Sequence, residues 1–174
     1  MQITRAADYA VRVMVHLASL PPATRVQRNE LVQLSDAPRS FLSKVLQRLV
    51  WSGMMASRRG TGGGFELAAP AEQISLLNVV EAIDGPIRLN LCVAGAAGCE
   101  RSAHCVVHPV WEEAQTALVK VLGGTSMAKL AREAEFHRDL VLNAAGRHRT
   151  TASIEERRPP RRASTQLPGG VEPL

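Results

Sequence analysis

A glycine-rich segment that follows an amphipathic pattern constrains the fold of this chain more than any other feature. Residues 54–68 (MMASRRGTGGGFELA) hold two short extended stretches around a loop with four glycines and two arginines. This pattern predicts a two-stranded hairpin, because glycine allows the tight turn and a close approach of the backbone. The helices that precede such a hairpin then limit the fold to few arrangements.

Three helices are predicted ahead of the hairpin, at residues 3–20, 28–35 and 39–51. Pro21 and Pro22 end the first helix, and the turn 35–38 (SDAP) separates the second from the third, with Pro38 at the first helical position. Gly53 is expected to cap the third helix. The residues expected to face inward are Ile3, Ala7, Ala10, Met14 and Leu17, then Leu31 and Leu34, then Phe41, Leu42, Val45, Leu46 and Leu49.

The order helix, helix, tight turn, helix, glycine-rich hairpin is typical of a winged helix-turn-helix. In that fold the third helix buries one face and offers the other to the major groove, while hairpin arginines suit phosphate or the minor groove. We therefore expect double-stranded DNA as a partner, bound at a pseudo-palindromic operator by a homodimer. The predicted DNA-binding residues are Arg39, Ser40, Ser43, Lys44, Gln47, Arg48, Arg58, Arg59 and Gly60.

Further helices are predicted after the hairpin, at 75–83, 108–122 and, more weakly, 125–142. The helix at 108–122 carries an apolar stripe suited to another helix: Val110, Trp111, Ala114, Leu118 and Val121. The expected fold is mainly α with a small β-hairpin, a winged helix-turn-helix plus a long dimerisation helix. It divides into a DNA-binding region (1–83), a cysteine-rich loop (84–107), the dimerisation helix with the following helix (108–142), and a disordered basic tail (143–174).

Three cysteines and a histidine lie within seventeen residues, with the spacing C-x6-C-x5-C-x2-H. Cys92, Cys99, Cys105 and His108 lie in a stretch rich in Ala and Gly, and three thiols cannot all pair in disulfides within one chain. Cysteines without a signal peptide favour a metal or redox centre. Three centres are compatible with this set: an iron–sulfur cluster, a structural zinc whose usual ligand spacings are tighter than these, or a metal-free thiol switch.

Composition excludes several classes of function. Of the net charge of +5, the six arginines and three glutamates of residues 146–174 account for +3, so total charge is weak evidence for a nucleic-acid partner. No signal peptide or membrane span is predicted, since Arg5, Asp8 and Arg12 interrupt the apolar run that either would need in the first helix. We therefore expect a cytoplasmic protein without a membrane partner. No paired acid and base or activated nucleophile is recognisable, so an enzyme is not expected.

Four stretches resemble the Rrf-type winged-helix transcription regulators, the group that contains IscR and NsrR. They are MQIT…DYAVRVMVHLA, LVWSGMMASRRGTGGGFELA, ISLLNVVEAIDG, and the cysteine trio followed by HPVWEEAQTAL. The resemblance covers roughly residues 1–135. It implies a dimeric regulator in which the helix near 108–122 crosses its partner and the three cysteines bind an iron–sulfur cluster.

The resemblance leaves the fourth ligand of the cluster open. The IscR-like pattern uses a histidine three residues after the third cysteine, where His108 stands, and the NsrR-like pattern uses an aspartate on the first helix of the other subunit, where Asp8 stands. His104 is a further contender that adjoins Cys105. Asp8 also has Arg5 and Arg12 at ion-pair spacing, which explains it as an ordinary surface residue.

The expected function is therefore a transcription regulator, and a repressor, whose operator binding is controlled by an iron–sulfur cluster of the two-iron or four-iron type. The cluster would sense iron or cluster status, nitric oxide or redox stress. The alternative is a winged-helix regulator that carries a structural zinc or a cysteine thiol switch instead.

Overall fold

The computed structural model describes residues 2–93, 99, 101 and 104–137. The elements before the cysteines are α1 (Arg5–Ala18), α2 (Arg28–Ser35), α3 (Arg39–Trp51), β1 (Met55–Arg58), β2 (Gly64–Leu67) and α4 (Leu76–Asp84). A short 3-10 turn (Leu91–Val93), α5 (His108–Gly123) and a helix at 127–137, α6, follow. This confirms the predicted fold class, mainly helical with one hairpin. The predicted tail at 143–174 and residues 138–142 lie outside the described residues.

Helix α1 is the centre of the core. Its N-cap Thr4 accepts from the backbone of Ala7, and its inner face is completely or almost completely buried. It packs against α2, α3 and α4 and touches β2, so one helix joins α2, α3 and the hairpin to α4. At roughly 1.5–3 kcal/mol for each large side chain buried, this face contributes much of the stability of the domain. The buried residues of α1 are Ala7, Ala10, Val13, Met14 and Leu17.

The sharp turn between α2 and α3 sets the angle at which α3 is presented. Asp36 takes a left-handed backbone conformation with φ of 55°, which ends α2. Pro38 is the N-cap of α3 rather than its first helical residue, and its carbonyl accepts from the backbone N–H groups of Phe41 and Leu42. Gly53, with φ of 75°, lies just beyond the end of α3 as predicted.

Three residues predicted to face inward are exposed instead: Ile3, Leu34 and Phe41. Ile3 precedes α1. On α2 the buried residues are Leu31 and Ser35. Ser35 can be buried because its hydroxyl donates to the Leu31 carbonyl at 2.7 Å and so has a hydrogen-bond partner in the core. Phe41 lies at the edge of the core, where its ring meets Tyr9 edge-on with centroids 5.9 Å apart.

Helix α4 begins with a reciprocal capping box between Ser75 and Asn78 and ends at Asp84. The Asp84 carboxylate accepts from both the backbone N–H and the hydroxyl of Thr4, so the end of α4 is joined to the start of α1. The junction of α5 and α6 pairs with the segment before α4, since Leu76 donates to Thr125 and Met127 donates to Ile74, each at 2.8 Å. These bonds connect α5 to the core.

Helix α5 leaves most of its apolar stripe uncovered. Val110 is 60% exposed and Val121 is 66% exposed, and Trp111 is also exposed, whereas Leu122 is buried. The helix contacts α4 and the 3-10 turn. The predicted stripe is therefore present, and within the described part of this single chain it has no cover on that side.

Candidate nucleic-acid interface and cysteine site

Helix α3 is two-faced, as its sequence pattern predicts. Leu42, Val45, Leu46 and Leu49 are buried, and polar side chains occupy the opposite face. Because the buried face holds the helix on α1 and α4, the polar face is presented on a rigid element. The exposed or half-exposed side chains on it are Arg39, Ser40, Ser43, Lys44, Gln47 and Arg48.

The hairpin forms a wing beside α3. β1 and β2 are antiparallel, with Met55 opposite Leu67 and Arg58 opposite Gly64. The turn requires glycine at Gly63 for steric reasons, since a Cβ there would lie 2.4 Å from the carbonyl oxygen of Arg58. The backbone therefore closes tightly, and Arg58, Arg59 and Gly60 are exposed at the wing.

A groove of about 780 Å³ runs between α3 and the wing, and it brings together most of the predicted DNA-binding residues. We call it the DNA-facing groove, after the predicted role of these residues. Ser40 and Lys44 are exposed on the adjoining part of α3 and do not line it. The predicted residues that line it are Arg39, Ser43, Gln47, Arg58, Arg59 and Gly60.

Arg48 is the predicted residue that lies apart from the others. Its guanidinium donates to the backbone carbonyl of Ile83 near the end of α4, and it does not line the groove. The position of Arg48 between the polar and buried faces of α3 explains this, because a long side chain there can reach the neighbouring helix. Its role in DNA binding stays a prediction, and the structure gives it a role in packing.

Sequence patterns missed several polar and aromatic residues that line the same groove. Gln27, Arg28 and Asn29 lie at the start of α2, and Trp51, which is largely exposed, lies one turn beyond Gln47 on α3. The Trp51 position could have been found from its spacing of four residues from Gln47. The α2 residues carry no such signal, since only the tertiary fold places the start of α2 beside the wing.

The cysteine site is far less assembled than the groove. Cys92 lies half-buried in the 3-10 turn, Cys99 and Cys105 are exposed, and none of the three forms a disulfide. Within the described ranges, no three side chains of His, Cys, Asp or Glu lie close enough together to hold one metal ion. Residues 94–98, 100 and 102–103, which separate the cysteines, lie outside those ranges.

His108 begins α5 and has an unusual environment. Its backbone N–H donates to the carbonyl of Cys105 at 3.1 Å, so the third cysteine and the histidine are joined by one turn. Its Nε2 lies 3.3 Å from a carboxylate oxygen of Glu112, one helical turn further along. Its Nδ1 is buried and has no hydrogen-bond partner among the described residues. A buried nitrogen without a partner is costly unless something binds it.

The two other candidate ligands are exposed and have simpler environments. Asp8 forms an ion pair with Arg12 at 2.9 Å, one turn along α1, in which both side chains are about half-exposed. His104 is exposed next to Cys105. Neither position carries a buried polar atom that calls for a ligand.

The Gln115 side chain attaches the segment that leads into the cysteines to α5. The Gln115 amide accepts from the backbone of Leu89 at 2.9 Å and donates to the carbonyl of Ile87 at 2.7 Å. Gln115 lies seven residues after His108, which is two turns along the same face of α5. Cys92 and His108 are thereby connected to one helix.

Together, the two-faced α3, the wing and the basic groove define a winged helix-turn-helix DNA-binding protein. Residues 3–133 match the Rrf2 family, which is described as an iron-dependent transcriptional regulator. The chain belongs to the Rrf2 family and is a transcriptional regulator, not an enzyme.

Known relatives are similar over most of the chain. The transcriptional regulator IscR of Vibrio atlanticus is 26% identical over 160 residues, which cover 88% of this chain and 92% of that protein. IscR of Escherichia coli K12 is 28% identical over 150 residues, which cover 86% and 89%.

Solved structures share the fold. CymR, the global cysteine regulator of B. subtilis, superposes with a TM-score of 0.64 at 21% identity and covers 76% of this chain and 98% of that one. IscR of T. potens has a TM-score of 0.62 at 19% identity and covers 77% and 88%. No helix in the described part of the chain is long and apolar enough to cross a membrane.

Proposed function

We propose that this regulator binds a pseudo-palindromic operator as a homodimer, that it acts as a repressor, and that an iron–sulfur cluster on Cys92, Cys99 and Cys105 controls its DNA affinity. The observation that carries the cluster proposal is the donor set. Three cysteines that form no disulfide are joined in sequence to an imidazole whose Nδ1 is buried without a partner among the described residues. Thiolates are the usual ligands of such clusters.

The residues present fit the group in chemistry. The three cysteines would supply thiolates. We take His108 as the fourth ligand, because its Nδ1 has no partner among the described residues while Asp8 already has Arg12. Glu112 would then orient the ring by accepting from Nε2–H, since a metal-bound histidine commonly donates its other ring N–H to a carboxylate. A bound cluster would supply a centre that reacts with oxidants and nitric oxide and that depends on iron supply.

The uncovered face of α5 supports the homodimer. Valines exposed by more than half, such as Val110 and Val121, are unfavourable on a helix surface in water, and a second copy of the stripe would cover them. A dimer also doubles the DNA-facing groove, which a single winged module needs in order to recognise an operator with two half-sites. IscR relatives of similar length support the regulatory role.

A thiol switch without metal is the second candidate, and the exposure of Cys99 and Cys105 favours it. Exposed thiols are open to oxidation, and the described side chains do not gather into a metal site. The structural neighbour CymR is described as a cysteine regulator. A structural zinc on the same four residues would act differently, since it would hold the loop without responding to redox signals.

The deciding experiment is anaerobic purification and reconstitution with iron and sulfide. We expect a coloured protein with iron and sulfide in matching amounts, and a change in operator affinity between the loaded and cluster-free forms. His108→Ala should change the visible spectrum, with Asp8→Ala as the matched control. Colourless protein after reconstitution would exclude the cluster, and stoichiometric zinc without sulfide would establish the structural zinc instead.

A further inference from the structure

A buried carboxylate lies at the base of the wing, on strand β2 of the hairpin. Glu66 belongs to β2 and is only 8% exposed. Its Oε2 lies 3.2 Å from Nε of Arg25, and its Oε1 lies 3.3 Å from Nε of Arg58. Each carboxylate oxygen therefore binds one guanidinium, and the three side chains form an Arg–Glu–Arg triad.

The two arginines come from segments on opposite sides of β2. Arg58 ends β1, which pairs with β2, and Arg25 precedes Val26, which exchanges two backbone hydrogen bonds of 2.9 Å with Phe65. Gln27 strengthens the second side, because its amide donates to the carbonyl of Gly63 in the turn. The wing thus rests on two flanking segments, and the triad joins them across β2.

Both guanidinium groups keep donors for another partner. Arg58 contacts Glu66 through Nε, and within the described residues its Nη atoms make no hydrogen bond. Arg25 uses Nε on Glu66 and places Nη1 3.5 Å from the carbonyl of Gly62. A guanidinium has five N–H donors, so each can remain on the carboxylate and still bind a phosphate. The side chains are 38% and 65% exposed, which leaves them accessible.

We propose that Glu66 is a positioning residue for DNA binding, and that it holds Arg25 and Arg58 as a pair of guanidinium groups that contact the DNA backbone beside the wing. Arg58 lines the DNA-facing groove, and Arg25, which does not line it, is joined to Arg58 through Glu66. A long side chain that is oriented before binding loses less conformational freedom on binding. The inference rests on sequence-specific DNA binding by this chain and is independent of the cysteine site.

Glu66→Gln tests the positioning role, with Glu72→Gln at an exposed position as the control. The probes are a duplex that the wild-type protein selects from a random pool and a scrambled duplex of equal length. We expect the ratio of specific to nonspecific affinity to fall about tenfold, because a pair held in place fits the phosphates only when the protein is docked in the register of its own site, whereas nonspecific complexes use phosphates that mobile side chains also reach. Nonspecific affinity should hold or rise, because removing a negative charge from a basic surface favours binding to a polyanion.

A structural role for Glu66 predicts a different result. Specific and nonspecific affinity would then fall by the same factor, together with the melting temperature, and that outcome would overturn the proposal. If Glu66→Gln does not fold, Glu66→Asp keeps the charge but shortens the side chain, so it cannot reach both guanidiniums. The Nε–H resonances of Arg25 and Arg58 should lose their dispersion in this variant, and unchanged resonances with an unchanged affinity ratio would also overturn the proposal.

Arg25→Ala tests the new phosphate contact, with Arg132→Ala on α6 as the control for loss of one charge. The slope of log affinity against log salt should fall by about 0.9 for one phosphate contact, and an equal slope in both variants would contradict the contact. On the Arg25→Ala background, Glu66→Gln should have a smaller effect than alone. Wild-type protein that selects no sequence would instead refute the proposed sequence-specific function itself.

Discussion

The DNA-facing groove and the cysteine site are built in opposite ways. The polar side chains of the groove lie on α3, whose other face is buried in the core, and on a wing that is held by hydrogen bonds and by the Arg–Glu–Arg triad. At the cysteine site, two of the three cysteines are exposed, and the described side chains form no metal-binding group. The difference indicates that the proposed DNA-binding surface is preorganised within one chain, whereas the described cysteines and His108 are not gathered into one site.

Helix α5 carries two features that the proposed cluster and the proposed homodimer would each satisfy. The same helix carries His108, with its unpartnered Nδ1 among the described residues, and the uncovered stripe that includes Val110 and Val121. A ligand on His108 would give the buried Nδ1 a partner, and a second subunit along the stripe would cover the exposed valines. The contrast predicts that the two regions can be damaged separately.

The largest expected effect is the loss of the cluster when one cysteine is removed. Cys105→Ala should abolish iron and sulfide incorporation, because the loss of one thiolate leaves too few ligands. The melting temperature of the cluster-free protein should change little, since Cys105 is exposed. Metal and sulfide analysis with calorimetry checks this. Full cluster loading of the variant would remove Cys105 from the ligand set.

A change in the wing should weaken DNA binding and leave iron and sulfide incorporation unchanged. In Gly63→Val, the new side chain would clash with the backbone of Arg58, so the wing must shift and affinity should fall roughly 100-fold. Gly123→Ala, whose Cβ would lie 3.6 Å from Leu77, is the matched control. Gel-shift titration measures the change. Normal binding by the variant would show that the wing geometry is unimportant.

A charge in the uncovered stripe tests whether a second copy covers α5. Val121→Glu should weaken dimerisation at least tenfold, since a carboxylate would be buried without a partner. Thr116→Glu, on the exposed opposite side of α5, should leave it unchanged. Sedimentation at several concentrations gives the dissociation constant. Equal behaviour of the two variants would place the dimer interface elsewhere.

A smaller effect is expected from Glu112→Gln, which leaves a weaker acceptor for His108 Nε2. Iron retention after anaerobic reconstitution should fall about tenfold. This is at the low end for loss of a carboxylate that orients a metal-bound histidine, because Glu112 is exposed. Glu113→Gln on the same helix is the control. Competition with an iron chelator, followed by visible absorption, provides the measurement. Identical retention in both variants would argue against the orienting role.

The smallest effect is expected at the tip of the wing. Arg59→Ala should lower the affinity for specific and nonspecific DNA alike by about fivefold and reduce the salt slope by about one unit, as expected for one phosphate contact. Ser43→Ala should instead change operator preference, because Ser43 lies on α3 in the groove. Binding isotherms at four salt concentrations check the slope. An unchanged slope would mean that Arg59 makes no DNA contact.

Much of the fold could be predicted from local patterns. The bounds of α2 and α3 agree with prediction to the residue, because a helix-breaking turn and a clear apolar stripe delimit them. The exposure of Leu34 and Phe41 could not be predicted, since periodicity shows an apolar face but not how wide a strip the neighbours cover. In a short helix, the neighbouring elements bury fewer residues than the apolar pattern of the sequence contains.

The candidate site divides in the same way. The polar face of α3 and the arginines of the wing were recognisable from sequence, and the structure places six of those residues along one groove. Arg28 at the start of α2 and Arg25 beside Glu66 could not be recognised from sequence, because the position of each depends on contacts with residues more than ten positions away in the chain. The role of the cysteines stays a prediction.

The sequence by itself determined the order of elements, the two-faced α3, the glycine-dependent turn of the wing and the cysteine and histidine spacing. These are local properties, set by side-chain periodicity, backbone freedom at glycine and chemical type. Only the tertiary structure decided that Glu66 joins two arginines, that Arg48 turns to α4, and that His108 Nδ1 is buried among the described residues. Such features arise when distant segments pack together, since packing decides which polar atoms lose water and which partners they gain.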